Sequence, residues 1–199
     1  GGVQGASFVS ISPRVSRAVL AVPGAGWANL IPRSIVWVPV KTVMDIYYPD
    51  PLVQQLIVAF VQTQFDYSDP INLSRLLLKH PLPDAPAGRA VVLQESIGDS
   101  QVPNLTTEML ARAVGVKALG PLVREVYGLE TVTSPTTESV LAQYHLVSQI
   151  AGRYPPEENV PPAEDNGAHS DMCFLPNVLE QVAHFVETGR ALRTQPPAA

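Results

Sequence analysis

Apolar residues recur along this chain in short runs, and turn-forming residues cut the runs apart. Residues 3–11 are small and apolar and end at Ser12-Pro13-Arg14, which predicts a short buried helix stopped by the proline. Residues 15–22 (Val-Ser-Arg-Ala-Val-Leu-Ala-Val) are apolar and β-branched without clean alternation, then break at Pro23-Gly24. That pattern predicts a buried parallel strand. Residues 51–65 follow Asp50, an N-cap before a first-turn proline, and carry apolar side chains at 52, 53, 56, 57, 60 and 61. This spacing predicts a helix, and a second is expected over 71–79, ending before Pro81. Residues 89–94 predict the next strand. Thr106 or Thr107 is expected to cap a helix through Val114, closed by Gly115. Residues 139–147 predict a third strand. A polar, proline-rich loop over 148–170 is longer than most connections, which points to a functional role. Residues 178–186 predict a final amphipathic helix closed by Gly189, with a frayed tail over 194–199.

Strands alternating with helices predict an α/β fold with a parallel sheet and flanking helices. Residues 1–23 and 86–189 are expected to form the core. Residues 24–85 hold both tryptophans and two helical patterns, and are expected to be a helical cap or lid insertion; 190–199 form the tail.

Composition narrows the choices. Charged residues are 16% of the 199, below the usual ~25%, and the 20 prolines are dispersed, so well-punctuated loops are expected in place of disorder. The net charge of −5 without a basic cluster argues against nucleic acid or an anionic membrane as partner. No run approaches the ~18 consecutive apolar residues of a membrane span. The single Cys173 excludes an internal disulfide and a multi-cysteine zinc site, and no cofactor is called for. The chain opens Gly1-Gly2-Val3-Gln4 without Met or a charged leader, and reads as a piece of something longer.

Two loop residues carry candidate chemistry. Asp99 follows a strand in Gly98-Asp99-Ser100-Gln101-Val102-Pro103, and His169 precedes the last helix in Asn166-Gly167-Ala168-His169-Ser170-Asp171. Both are expected at the carboxyl edge of the sheet, where ligands bind. An Asp that orients a His is half of a nucleophilic relay; the competing reading makes Asp99 a turn-former and His169 a solvated loop residue. The other candidates are weaker. His80 is expected at a helix end, His145 within a strand and His184 on the last helix. Cys173 lies too close to His169 in sequence to meet it from a separate element. His169 and Asp171 lack a third metal ligand at a recognisable spacing. Ser7, Ser10 and Ser12 lack flanking glycines in a strand–turn–helix.

The acid turn before a capped helix and the histidine before a terminal amphipathic helix resemble the α/β-hydrolase family, whose chain order is nucleophile, acid, histidine. The resemblance covers most of residues 1–189 but only the C-terminal half of that fold. It implies a nucleophile in a G-x-S-x-G elbow, and two registers compete for it. In one, Gly1-Gly2-Val3-Gln4-Gly5 is the elbow and Val3 stands for the serine. In the other, Gly1 is the elbow's last glycine and the serine lies two residues upstream. About fourteen residues are expected from nucleophile to the proline before the next strand, room for one helix and a turn. Counting back from Pro13 favours the second register, since Val3 leaves about ten. Both usual oxyanion donors would then also lie upstream.

The resemblance thus implies a serine-type carboxylic-ester hydrolase in intact form, with a small-molecule ester as substrate, His169 as general base and acid, and Asp99 as its orienting partner. Trp27 is expected to line the substrate pocket. The alternative is an inactive fragment or remnant acting as a structural or binding module. If the chain lacks its upstream half, the apolar strand at 15–22 is expected to be an unpaired edge, and the chain to self-associate through it or through the face left bare beside it; a stable monomer would favour the Val3 remnant.

Overall fold

The computed structural model describes residues 1–158 and 161–193. Five parallel strands form one sheet: β1 (Arg17–Ala21), β2 (Ala90–Ser96), β3 (Lys117–Leu119), β4 (Thr131–Val132) and β5 (Val140–Tyr144), in the spatial order β1-β2-β5-β3-β4. The α/β architecture expected from the alternating elements is therefore present. The chain leaves β2 and returns two positions away at β3, so β5 later fills the gap between them. Strands β3 and β4, three and two residues long, carry too little pattern to be read from sequence.

The alternation of β2 builds a layer on each face. Val91 and Leu93 pack with α1 (Gly2–Ile11) and α6 (Asn104–Val114) through Ala6, Val9, Leu110 and Val114. Val92 points the other way, into a cluster with Tyr144, Met172, Val178 and Phe185 beneath α7 (Ala168–Met172) and α8 (Pro176–Thr188). Gln94 on that second face is fully buried, and its amide nitrogen donates to Gln181 Oε1 at 3.0 Å, which provides for the donor half of the side chain.

Several boundaries differ from the sequence expectation. Helix α6 begins at Asn104, before either threonine. Thr107 Oγ1 instead donates to Pro23 O at 2.6 Å, and Thr106 Oγ1 to Pro103 O at 2.8 Å. The helix expected over 71–79 breaks into α5 (Pro70–Leu73) and a 3-10 turn, Ser74–Leu76. The strand expected over 139–147 covers only β5, and the long loop ends in α7, which carries His169. The 15–22 strand is only half-buried, because β1 pairs with β2 alone and forms the sheet edge. Residues 190–193, assigned to the tail, are docked: Ala191 is buried and exchanges backbone hydrogen bonds with Thr136. The expected frayed segment, 194–199, lies outside the described residues.

Every regular element between β1 and β2 is helical: α2 (Trp27–Leu30), two 3-10 turns, α3 (Val38–Tyr47), α4 (Pro51–Phe65), then α5 and its 3-10 turn. Asp50 caps α4 as the sequence predicts, accepting from Leu52 N at 2.9 Å. Neither α3 nor α4 has a buried residue, so the pair stands away from the sheet. Among the described residues no helix is long and apolar enough to cross a membrane.

Candidate active site

The site forms where β1 and β2 end. After β2 the chain turns at Gly98, whose φ of +74° lies in the left-handed region. A Cβ there would sit 2.4 Å from Pro155 Cβ and 2.6 Å from Pro156 O, so only glycine fits. Asn104, the first residue of α6, holds this turn from both sides. Its Oδ1 accepts from Gly98 N at 2.7 Å and its Nδ2 donates to Ser96 O at 2.7 Å.

Asp99 follows, with only 1% of its side chain exposed. Its Oδ1 accepts from Gln101 N at 2.7 Å and Val102 N at 2.9 Å. Its Oδ2 lies 2.8 Å from His169 Nδ1. An ionised carboxylate only accepts, so the contact suits the tautomer in which Nδ1 donates, and a neutral ring held that way would present Nε2 as an acceptor. The two sequence candidates, 70 positions apart, are thus brought together. Ser96 Oγ donates to Ala168 O at 2.8 Å and ties α7 to the end of β2.

His169 borders an apolar cavity of about 350 Å³ whose walls include Gly1, Val22, Trp27, Leu30, Trp37 and Val102. Trp27, expected in a substrate pocket, does line it. The backbone N–H groups of Gly26 and Trp27 both donate to the fully buried Asp69 carboxylate at 2.8 Å, and the indole packs on Phe65 with ring centroids 6.1 Å apart. Val22 also lines the cavity, with φ of +44°. A β-branched residue in that region costs about 1–2 kcal/mol, and the strain sits at the cavity wall. A second cavity of about 590 Å³ opens among α2, α3 and α4 and shares Trp37 with the first.

The remaining candidates stay apart from His169 or serve structure. His145 lies one residue beyond β5, buried, with Nε2 2.9 Å from Pro155 O. His80 is exposed, and Lys79 beside it meets the end of α6, donating to Arg112 O and Ala113 O. His184 is half-buried on α8. Cys173 donates to His169 O at 3.7 Å; burial, and then the Asp99 charge, push its thiol up, away from the reactive thiolate. Asp171 Oδ2 accepts from Gln149 N at 2.9 Å, and no group of three metal-ligating side chains occurs among the described residues. Ser7 and Ser10 donate to Ser68 O and Ala6 O, and Ser12 Oγ accepts from Arg14 N.

Sequence reading missed two features. One is Glu95 on β2, wholly buried; burial and then the Glu108 charge raise its carboxyl from 4.5 to about 8, against the pull of Arg124. The other is the set of contacts that Asp165 and Asn166 make to the acid turn. The only sequence signal for it was the polar Asp-Asn-Gly run before His169.

No family model, curated protein or solved structure matches the chain.

Proposed function

We propose that this chain carries the acid and base of a serine-type carboxylic-ester hydrolase of the α/β-hydrolase kind, with the nucleophile contributed by sequence preceding Gly1. The observation that carries this reading is the 2.8 Å contact between Asp99 Oδ2 and His169 Nδ1 beside an apolar cavity. In this mechanism Nε2 takes the proton from a serine hydroxyl as it attacks the acyl carbonyl, and returns it to the leaving alcohol. Asp99 fixes the tautomer and stabilises the imidazolium through a charge-assisted hydrogen bond. Trp27 and its neighbours bind the apolar part of a small-molecule ester. Gly1 supports the placing of the serine. It lines the same cavity as His169, and at Gly2 a Cβ would fall 2.1 Å from Ala21 O, so α1 starts hard against the end of β1.

A second reading, a binding module without catalysis, is favoured by one observation. Among the described residues the His169 ring bonds only to Asp99, and no hydroxyl or thiol donates to it.

The test has two parts. The 199-residue chain should hydrolyse short p-nitrophenyl esters no faster than its His169→Ala variant. The gene read upstream should encode a strand and Gly-x-Ser just before Gly1, and a fluorophosphonate should label that serine in the longer protein. Stoichiometric labelling of a serine within 1–199, or no Gly-x-Ser upstream, overturns the proposal.

A further inference from the structure

We infer that Asp165 is a positioning residue for His169, acting through Ser100. The inference rests on the relay reading above, because it concerns how the Asp99–His169 pair is held. Asp99 and His169 come from different segments, and each neighbours a residue of one junction. Ser100 is wholly buried, and its Oγ donates to Asp165 Oδ1 at 2.8 Å. The same oxygen accepts from Asn166 N at 3.4 Å. Asp165 Oδ1 also takes the N–H of Gly167, the residue just before α7, at 3.0 Å. Its Oδ2 accepts from Gln101 Nε2 at 3.4 Å, and Asn166 Nδ2 donates to Gly98 O at 2.7 Å.

One carboxylate thereby clamps the residue after Asp99 to the turn that launches His169. The Gly167 N–H, then the Ser100 hydroxyl, hold the Asp165 carboxyl below the usual carboxylate range, so it is ionised wherever the relay would work. Ser100 O accepts from Ile35 N at 2.9 Å, which joins the helical insertion to the same junction. A displacement of a few tenths of an ångström at this junction moves Nδ1 relative to Oδ2, and relay geometry tolerates little such error.

The test reads the tautomer of His169 in the 199-residue chain by 15N NMR at a pH where the ring is neutral. Wild type should show Nδ1 as the protonated nitrogen and Nε2 as the bare one. In Asp165→Ala, and independently in Ser100→Ala, both resonances should move toward the averaged position of a free imidazole. Asp165→Asn keeps an acceptor for Ser100 and Gly167 and should stay near wild type. Wild-type resonances in both alanine variants, whatever their melting temperatures, overturn the inference, because a merely structural role moves stability and not the tautomer. Equal averaging in Asp165→Asn and Asp165→Ala overturns the hydrogen-bonded clamp. If wild type itself shows averaged resonances, it is the relay reading that fails.

Discussion

Asp99 splits its carboxylate by oxygen atom: Oδ1 accepts the N–H groups of Gln101 and Val102, and Oδ2 faces His169 Nδ1 at 2.8 Å. The turn contacts and the proposed relay contact therefore fall on different atoms of one side chain. Asp99→Asn keeps an oxygen for the turn but can aim an amide N–H at Nδ1, which forces the opposite tautomer. The expected result is a melting temperature close to wild type and, under the proposed function, esterase activity of a longer protein carrying the proposed serine lowered about 10³- to 10⁴-fold. Asp99→Ala should in addition lose about 1–3 kcal/mol of stability, read by urea denaturation, because two buried N–H groups lose their acceptor. If the asparagine variant is destabilised as much as the alanine one, Oδ1 does not hold the turn.

Glu95 makes stability depend on pH. Its carboxyl is raised from 4.5 to about 8 in the fold, so between those values the folded chain keeps a proton that the unfolded chain has released. Stability from this group is therefore complete below about pH 4.5 and lost progressively up to about pH 8. Glu95→Gln should leave the urea midpoint unchanged near pH 4 and raise it at pH 8. Gln143 Nε2 can still donate to the new amide oxygen, as it does to Glu95 Oε2 at 3.0 Å. A lower midpoint for the variant at pH 8 would show that the ionised form, paired with Arg124, is the native one.

Gly98→Ala tests the acid turn from the backbone side. A left-handed φ costs a non-glycine residue about 1–2 kcal/mol, and the added methyl also overlaps Pro155 and Pro156. Thermal denaturation should show a loss of about 2 kcal/mol or more, with the His169 tautomer disturbed as well. A loss below about 0.5 kcal/mol contradicts the tight packing of this turn.

The free edge of β1 predicts self-association. Val22 N donates to Gln94 O, so by alternation the even-numbered residues of β1 face β2 and the backbone groups of Arg17, Val19 and Ala21 face outward. Only Arg17 supplies a charge there, and its guanidinium is turned to Val186 O and Glu187 O. Light scattering at micromolar concentration should show dimers or larger species. Val19→Pro removes one outward N–H without breaking the ladder to β2 and should reduce them. A wild-type monomer of about 21 kDa with a sharp cooperative transition refutes edge pairing.

By itself the sequence determined the features that rest on local chemistry. Pro13 ends α1, Asp50-Pro51 starts α4, and Gly115 and Gly189 close α6 and α8 in left-handed geometry. It also put Asp99 in the turn after a strand, which turn residues make readable, whereas His169, expected in a loop, lies in the short helix α7. Tertiary structure decided what depends on distant partners. The three- and two-residue strands β3 and β4 exist because β5 and each other offer them hydrogen bonds, while their own propensity is too short to register. Thr106 and Thr107 make good caps in isolation, yet Pro23 O and Pro103 O take their hydroxyls instead. The charge state of Glu95 follows from a neighbourhood assembled by β2, β5, α6 and the loop carrying Arg124, and no window of sequence contains it. The same holds for Asp165: its partner Ser100 lies 65 positions away, and only folding makes the two a clamp.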